Sequence, residues 1–413
     1  MLFFQNQPVE IKKLYQNISF LFILQIANYI LPLVTFPYLV RTVGVEKIGL
    51  ISLAQAFNQY FIVFTNFGFD FSATYDISVS RNSREKMSEI FNSVLLIKIA
   101  LTVISFIILI IALLCINKLR DEWLLYIVTF GTVVGSAIFP VWFFQGVEKM
   151  KYVTVINMGT KILVAACIFI FIKTPDDFIY VPFLNTVGII ISALISIRFI
   201  ARKFNFILYI PSFTIIRQTV HGSIEFFLSR IFASSYTSSN KIVIGMFLDS
   251  EHVGYYTMAE KIFQAWQSIY TPLSNSLYPF MAKNRNINLF KKIFWATIIL
   301  NTMICIGIYI YSDVIIRIIY ASEFTVAAQL LGLFAILSVL ATPSLFLGYP
   351  LLAAMGHPKY ANNSVVFGAI IHIILLFCII PRLNVYMVVL LMVATNCIVV
   401  AIRLYALKKY KLT

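Results

Sequence analysis

Charge is scarce in this chain: 12% of its 413 residues are Asp, Glu, Lys or Arg, with only 17 acids against 32 Lys and Arg. That leaves too little polar surface to cover a soluble globule of this length. Cysteine is sparse too. Cys115, Cys167, Cys305, Cys378 and Cys397 stand singly in apolar runs without metal-ligand spacing, so packing is their expected role and no metal site is expected. A Gly-Lys-Ser/Thr phosphate loop is missing, so ATP does not drive the chain directly. So is the carboxylate-rich loop that a sugar-nucleotide glycosyltransferase uses to hold a metal. These gaps point away from an enzyme, and no cofactor is expected.

What is abundant is apolar sequence, 60% of the chain with a mean hydropathy of +0.90. It falls into about twelve runs, at 17–37, 48–69, 90–116, 123–146, 152–172, 179–200, 221–247, 253–281, 293–312, 327–354, 362–380 and 385–407. Each, read as a helix of about 20 residues, can cross ~30 Å of hydrocarbon. The first run follows a polar segment and lacks a small-residue cleavage pattern, so it reads as a retained span. The fold class is therefore an all-α integral membrane protein of about twelve transmembrane helices.

The cations gather in every second gap. Twenty of the 32, among them Lys12, Arg81, Lys149, Arg202, Lys283, Arg403 and Lys411, lie in one set of loops and termini with six acids, counting Asp70 and Asp76 there. The opposite set holds seven cations and nine acids, including Asp176, Asp177 and Asp249. The positive-inside rule places both termini in the cytoplasm. The net charge of +15 is thus a membrane signature facing anionic lipid, and nucleic acid is not an expected partner.

The chain also repeats itself. Gly44 to Gln55 aligns with Asp249 to Glu260 at an offset of 205, superimposing Glu46 on Glu251, Gly49 on Gly254 and Ala54 on Ala259. A fainter match links Gln145 to Tyr152 with Met355 to Tyr360. Six helices per half keep the same orientation, so the halves should be related by a pseudo-two-fold along the membrane normal. The expected domains are six-helix bundles at 1–200 and 221–413, joined by a basic cytoplasmic linker at 201–220.

Five cations, Lys98, Lys161, Arg230, Lys241 and Lys261, fall inside apolar runs and carry the functional question. Arg230, Ser234, Thr237 and Lys241 recur at i, i+4, i+7 and i+11, one face of a helix. Gln264 on the eighth run and Gln55 and Asn58 on the second add polar faces, which implies a cavity between the halves. Lys98, Lys161 and Lys241 lie within snorkelling reach of helix ends, so structural and functional readings stay open for them. Arg230 is deeper and reads as cavity lining. Glu225 and Glu260 either neutralise neighbouring cations or couple an ion, proton or sodium, to transport. His372, alone in an apolar run, reads as a packed, hydrogen-bonded histidine.

Leu31-Pro32-Leu33-Val34-Thr35-Phe36-Pro37-Tyr38-Leu39-Val40-Arg41-Thr42-Val43-Gly44, then Gly49, Phe67-Gly68, Arg81-Asn82 and Trp142-Phe143-Phe144-Gln145-Gly146, resemble the polysaccharide-transporter family of Wzx-type O-antigen and capsule flippases. The resemblance runs over essentially the whole chain. It implies membership of the multidrug/oligosaccharidyl-lipid/polysaccharide (MOP) exporter superfamily, with two pseudo-symmetric bundles around a V-shaped central cavity. The implied activity moves undecaprenyl-diphosphate-linked oligosaccharide from the cytoplasmic to the periplasmic leaflet of a bacterial inner membrane. The resemblance also implies a polysaccharide polymerase and a chain-length regulator as partners. Cationic cavity residues meet the diphosphate in such a family, and the positions available here are Arg230, Lys261, Lys241, Lys98, Lys161 and Arg41. The rival readings are a multidrug exporter of the same architecture and a membrane polymerase or ligase. Excess cavity cations disfavour the first by repelling organic cations, and the lack of a large outer loop disfavours the second.

Overall fold

A computed structural model of the chain describes residues 31–204, 209–410 and 412. Among these the chain is helical, with no strand. The first stretch of helices is α1 (Leu31–Val43), α2 (Val45–Asn66), α3 (Phe69–Val79), α4 (Arg84–Cys115), the short α5 (Asn117–Arg120), α6 (Trp123–Ile138), the short α7 (Val141–Gly146), α8 (Met150–Phe171) and α9 (Tyr180–Phe204). After them come α10 (Phe213–Phe247), α11 (Ser250–Ser268), α12 (Tyr270–Asn284), α13 (Ile287–Ile310), α14 (Ser312–Tyr320), α15 (Thr325–Phe346), α16 (Pro358–Ile379) and α17 (Val385–Lys409).

Nine helical segments of the described residues are long and apolar enough to cross a membrane. The expected runs 17–37, 221–247 and 253–281 are not among them. The first lies largely outside the described residues; the other two form α10, and α11 with α12, which are helical but too polar to qualify. The burial pattern is that of a protein solvated by lipid. On α4, Ile99, Val103, Ile107, Ile111 and Leu114 are exposed along one stripe, while Lys98, Ser105, Leu109 and Leu113 are buried on the other. Apolar side chains facing outward and polar ones inward invert the rule for soluble helices.

Two compact units divide the chain. One comprises the described residues up to Thr35 with Ala54–Ser234, the other Phe36–Leu53 with Ser235–Thr413. The divisions fall between Thr35 and Phe36, between Leu53 and Ala54, and within α10 between Ser234 and Ser235.

In the first unit the second span does not stop at residue 69. Phe67 (φ 44°) and Gly68 (φ 78°) break the helix, and α3 resumes at once, burying Phe69, Ala73 and Ile77 at four-residue spacing. Asp70 and Asp76, counted among loop acids from sequence, are therefore helical. A Cβ on Gly68 would sit 2.6 Å from the Phe226 Cβ and 2.8 Å from both the Phe227 nitrogen and the Ser223 carbonyl. Only glycine combines that left-handed backbone with so close an approach of α10. Ser72 and Ser223, with hydroxyls 2.6 Å apart, continue the contact. Beneath it the aromatic core Phe69, Phe91, Trp142, Phe143 and Phe144 packs α3 on α7.

The second unit holds a buried charge that the sequence assigned to the cytoplasmic surface. Arg403 of α17 is 5% exposed. Its Nε donates to the Ser364 hydroxyl (2.9 Å), its Nη1 to the Ser344 carbonyl and hydroxyl, and its Nη2 to the Ala361 carbonyl (3.3 Å). The guanidinium lies against Gly348 in the π-helical turn Leu347–Ala353, where an added Cβ would meet Nη1 at 2.9 Å. Arg403 ties α15, α16 and α17 together, and no periodicity announces such a role. Arg403→Leu strands several buried acceptors at roughly 1–3 kcal/mol each. Its detergent-solubilised form should melt well below the wild type, with exposed Lys408→Ala unchanged; equal melting would remove the structural role.

The repeat shows as matched local structure. Within the second unit, a Cβ on Gly49 would fall 1.6 Å from the Ser250 carbonyl, and one on Gly254 would fall 2.3 Å from the Val45 carbonyl. Both 250 against 45 and 254 against 49 differ by 205, so the contact between α2 and α11 is reciprocal and has local two-fold character. The C-terminal ends of α9 and α17 also match. Lys203 donates to the Tyr152 hydroxyl (2.9 Å) in the first unit, and Lys409 to the Tyr360 hydroxyl (3.1 Å) in the second.

Candidate functional site

The kink at Gly68 and the close approach of α10 bring mid-helix charges together inside the first unit. Lys98 is the fifteenth of 32 residues in α4 and Arg230 the eighteenth of 35 in α10. Both line a pocket of about 280 Å³ with Asn66, Asp70, Ser136 and Gln145. Lys98 is 1% exposed and points inward. The Arg230 guanidinium lies 4.9 Å from the centre of the Phe71 ring, which stacks on Phe226 at 5.6 Å. That shelf holds the guanidinium by a cation–π contact, which does not use the N–H donors at the edge of its plane. Among the described residues no hydrogen bond or ion pair engages the Arg230 side chain. Asp70 is the one carboxylate in the lining, and two cations against one acid leave the pocket net positive.

Asp70 is the charged member that sequence reasoning missed, and Ser136 and Gln145 were not singled out for the site either. Phe67-Gly68 looks like a helix end, and the signal that corrects it is Phe69, Ala73 and Ile77 continuing an apolar face. Two of the quoted landmarks, Arg81 and Gln145-Gly146, meet within the first unit. The Gln145 side chain accepts from Thr74, and Arg81 donates to the Gly146 carbonyl (2.7 Å) and pairs with Glu148 (2.8 Å).

The other residues singled out from sequence lie elsewhere. Lys161 lines a second pocket of the first unit. Lys241 pairs with buried Glu260 at 2.5 Å in the second unit, with half-buried Lys261 next in sequence. Arg41 is exposed and donates to the carbonyls of Ile318 and Ile319 at the end of α14, which makes it a helix cap and not a pocket cation. Asn58 is buried, Ser234 and Gln264 are half-buried, and Gln55 and Glu225 are exposed; the Thr237 side chain lies outside the described residues. His372 is buried, its Nε2 2.8 Å from the Asn240 amide oxygen and its Nδ1 3.2 Å from the Thr395 hydroxyl.

Fold and site define a multi-pass membrane transporter built from helices, with mid-helix cations lining its polar pockets. Residues 14–285 match the family described as polysaccharide biosynthesis protein, and the chain belongs to that family. It is 25% identical over 403 residues to an Escherichia coli (strain K12) protein named "Putative O-antigen transporter", covering 96% of this chain and 97% of that one. Among solved structures it resembles the lipid II flippase MurJ in an inward closed conformation, with a TM-score of 0.68 and 16% identity over 94% of this chain and 87% of that one. An inward-facing multidrug resistance MATE family transporter of the MOP superfamily matches with a TM-score of 0.66 and 15% identity over 94% and 95% of the two chains. The last two establish the fold alone. These relatives are transporters and flippases, and the chain is a non-enzyme with them.

Proposed function

We propose that the protein flips undecaprenyl-diphosphate-linked oligosaccharide repeat units, of O-antigen or capsule, from the cytoplasmic to the periplasmic leaflet of the bacterial inner membrane by alternating access between two bundles. The observation that carries this reading is that Arg230, held over the Phe71 ring, and embedded Lys98 line one net-positive pocket. A diphosphate leaves water only for several fixed cations, a glycan finds amide and hydroxyl partners, and the prenyl tail stays in lipid. The relatives named for O-antigen transport and lipid II flipping support the substrate class. An organic cation would meet repulsion at the same pocket, which disfavours the multidrug reading despite the shared fold.

Glu260 and Glu225 are the carboxylates available to couple a proton or sodium gradient to the cycle, with polymerase and chain-length regulator as downstream partners. In sealed proteoliposomes, a fluorescent undecaprenyl-diphosphate oligosaccharide should cross the bilayer with the protein and not without it, while ethidium should not be moved. Net accumulation should vanish when both gradients are collapsed. Ethidium transport without glycan transport would overturn the substrate; accumulation unchanged after collapse would overturn the coupling.

Orientation is tested separately. With native cysteines removed, a thiol at Asp249 should react with an impermeant reagent from the periplasm and one at Arg202 only from the cytoplasm. Labelling at 249 only from the cytoplasmic side reverses the topology.

A further inference from the structure

Asp70, half-buried in the first turn of α3, lines the pocket at the Gly68 break together with Lys98 of α4 and Arg230 of α10. The chain fixes its place: Phe67 and Gly68 turn the backbone into α3, and the Thr74 hydroxyl donates to the Asp70 carbonyl (2.7 Å). A negative charge suits the N–H end of a helix and the neighbourhood of two cations. It does not suit a pocket that receives an anion.

Charge counting sets the problem. Lys98 and Arg230 against Asp70 leave the empty pocket one charge positive, and a diphosphate diester brings two negative charges. The filled pocket would hold an uncompensated negative charge away from water, with a carboxylate facing phosphate oxygens, and both conditions are costly at low dielectric. Removing the Asp70 charge relieves both. A proton does so on the carboxylate itself, whereas a metal ion would have to sit beside two fixed cations that repel it.

We infer that Asp70 is the releasing group of the diphosphate site: its carboxylate takes up one proton from solvent as the substrate enters and returns it as the substrate leaves. The inference rests on the flippase reading and gives its binding site a proton of its own, apart from the gradient coupling assigned to Glu225 and Glu260. Filled, the pocket is neutral. Once the proton departs, the carboxylate opposes the phosphates and the hold of Lys98 and Arg230 loosens. Two cations without such a group would bind the lipid and keep it. The other ionisable groups around Asp70 are few. Of the helices packed on α3, α7 has none, α4 places Lys98 at the pocket, and α10 places Arg230 there, with exposed His221 and Glu225 earlier on that helix. Asp76 lies further along α3 itself.

The test uses the full-length protein in detergent with farnesyl-diphospho-glucose, a diester whose two charges do not titrate near neutral pH. Calorimetric titration in buffers of different ionisation enthalpy reads the protons exchanged on binding. The wild type is expected to take up roughly one proton per ligand and to bind more weakly as pH rises, toward a limit of about tenfold per pH unit. Asp70→Asn, neutral throughout, should take up none, bind at least about tenfold tighter at neutral pH and lose the pH dependence. In proteoliposomes the same variant should flip the lipid more slowly, because release is impaired. His221→Gln and Asp76→Asn should keep the wild-type proton uptake. Binding by the wild type without proton uptake, uptake undiminished in Asp70→Asn, or weaker binding by Asp70→Asn overturns the inference. So does an affinity that follows added magnesium or sodium at constant pH and not acid. If Asp70→Asn fails to fold, the wild-type proton count still decides the matter. A wild type that does not bind the diester at all overturns the diphosphate reading as well, whereas binding without proton exchange leaves that reading standing, so the two failures are distinguishable.

Discussion

Arg230→Ala is expected to cut export of surface polysaccharide roughly ten- to a hundredfold while the protein reaches normal membrane levels. Losing a charge-assisted hydrogen bond to phosphate typically removes about 1.5 to 3 kcal/mol. The described contact of the guanidinium is its shelf on Phe71, so its removal breaks no hydrogen bond recorded within the fold. Arg230→Lys should recover only part of the loss, because a point charge cannot grip two oxygens of one phosphate at once. Lys98→Met should cost a similar amount, and the double variant less than the two losses added, as expected of two groups on one ligand. Exposed Lys292→Ala should be silent. Complementation of a strain lacking the native transporter, with membrane levels read by immunoblot, checks all of these. Full export by Arg230→Ala at normal levels would make Arg230 a structural charge.

The other large effect is steric. Gly49→Ala places a methyl group 1.6 Å from the Ser250 carbonyl, and Gly254→Ala places one 2.3 Å from the Val45 carbonyl. The opposing atoms are backbone, so no rotamer change relieves either clash, and α2 must lift off α11. Overpacking in a rigid core costs about 1–3 kcal/mol, and a clash with main chain belongs at or above the top of that range. Each variant should lose most of its folded protein in the membrane, with a melting point several degrees lower. Gly307→Ala, where an added Cβ meets nothing within 4 Å, is the matched control. A Gly49→Ala protein with wild-type level and melting point would show that the two helices do not pack this closely in the membrane.

The spans were legible from sequence because an apolar run of about 20 residues has one use in lipid, and the cations at mid-span because such residues are expensive there. Lys98 and Arg230 were both singled out on that ground. Their convergence on one pocket was not legible, since it depends on the left-handed turn at Phe67–Gly68 and on how near α10 comes to it. Asp70 was missed for the same reason, having been read as a loop residue just past a helix end. Arg41 and Arg403 mark the converse limit. Each was counted by position along the chain, yet one caps α14 and the other is sunk among serine hydroxyls and backbone carbonyls, roles set by residues 39 to 278 positions away in sequence. Thr237 shares the Arg230 helix face by periodicity, and its side chain lies outside the described residues.

The reciprocal glycine contact carries a consequence for ancestry. A surface that meets itself about a two-fold axis is what two copies of one short polypeptide make when they pair. In such a pair one codon would write both glycines, and a single substitution would strike the junction twice. Once joined in one gene, positions 49 and 254 could drift apart, but each still faces the main chain of the opposite segment and tolerates no side chain. The embedded lysines and arginine carry no such mutual constraint. A duplication would hold the seam fixed in both copies and leave the charges free to differ.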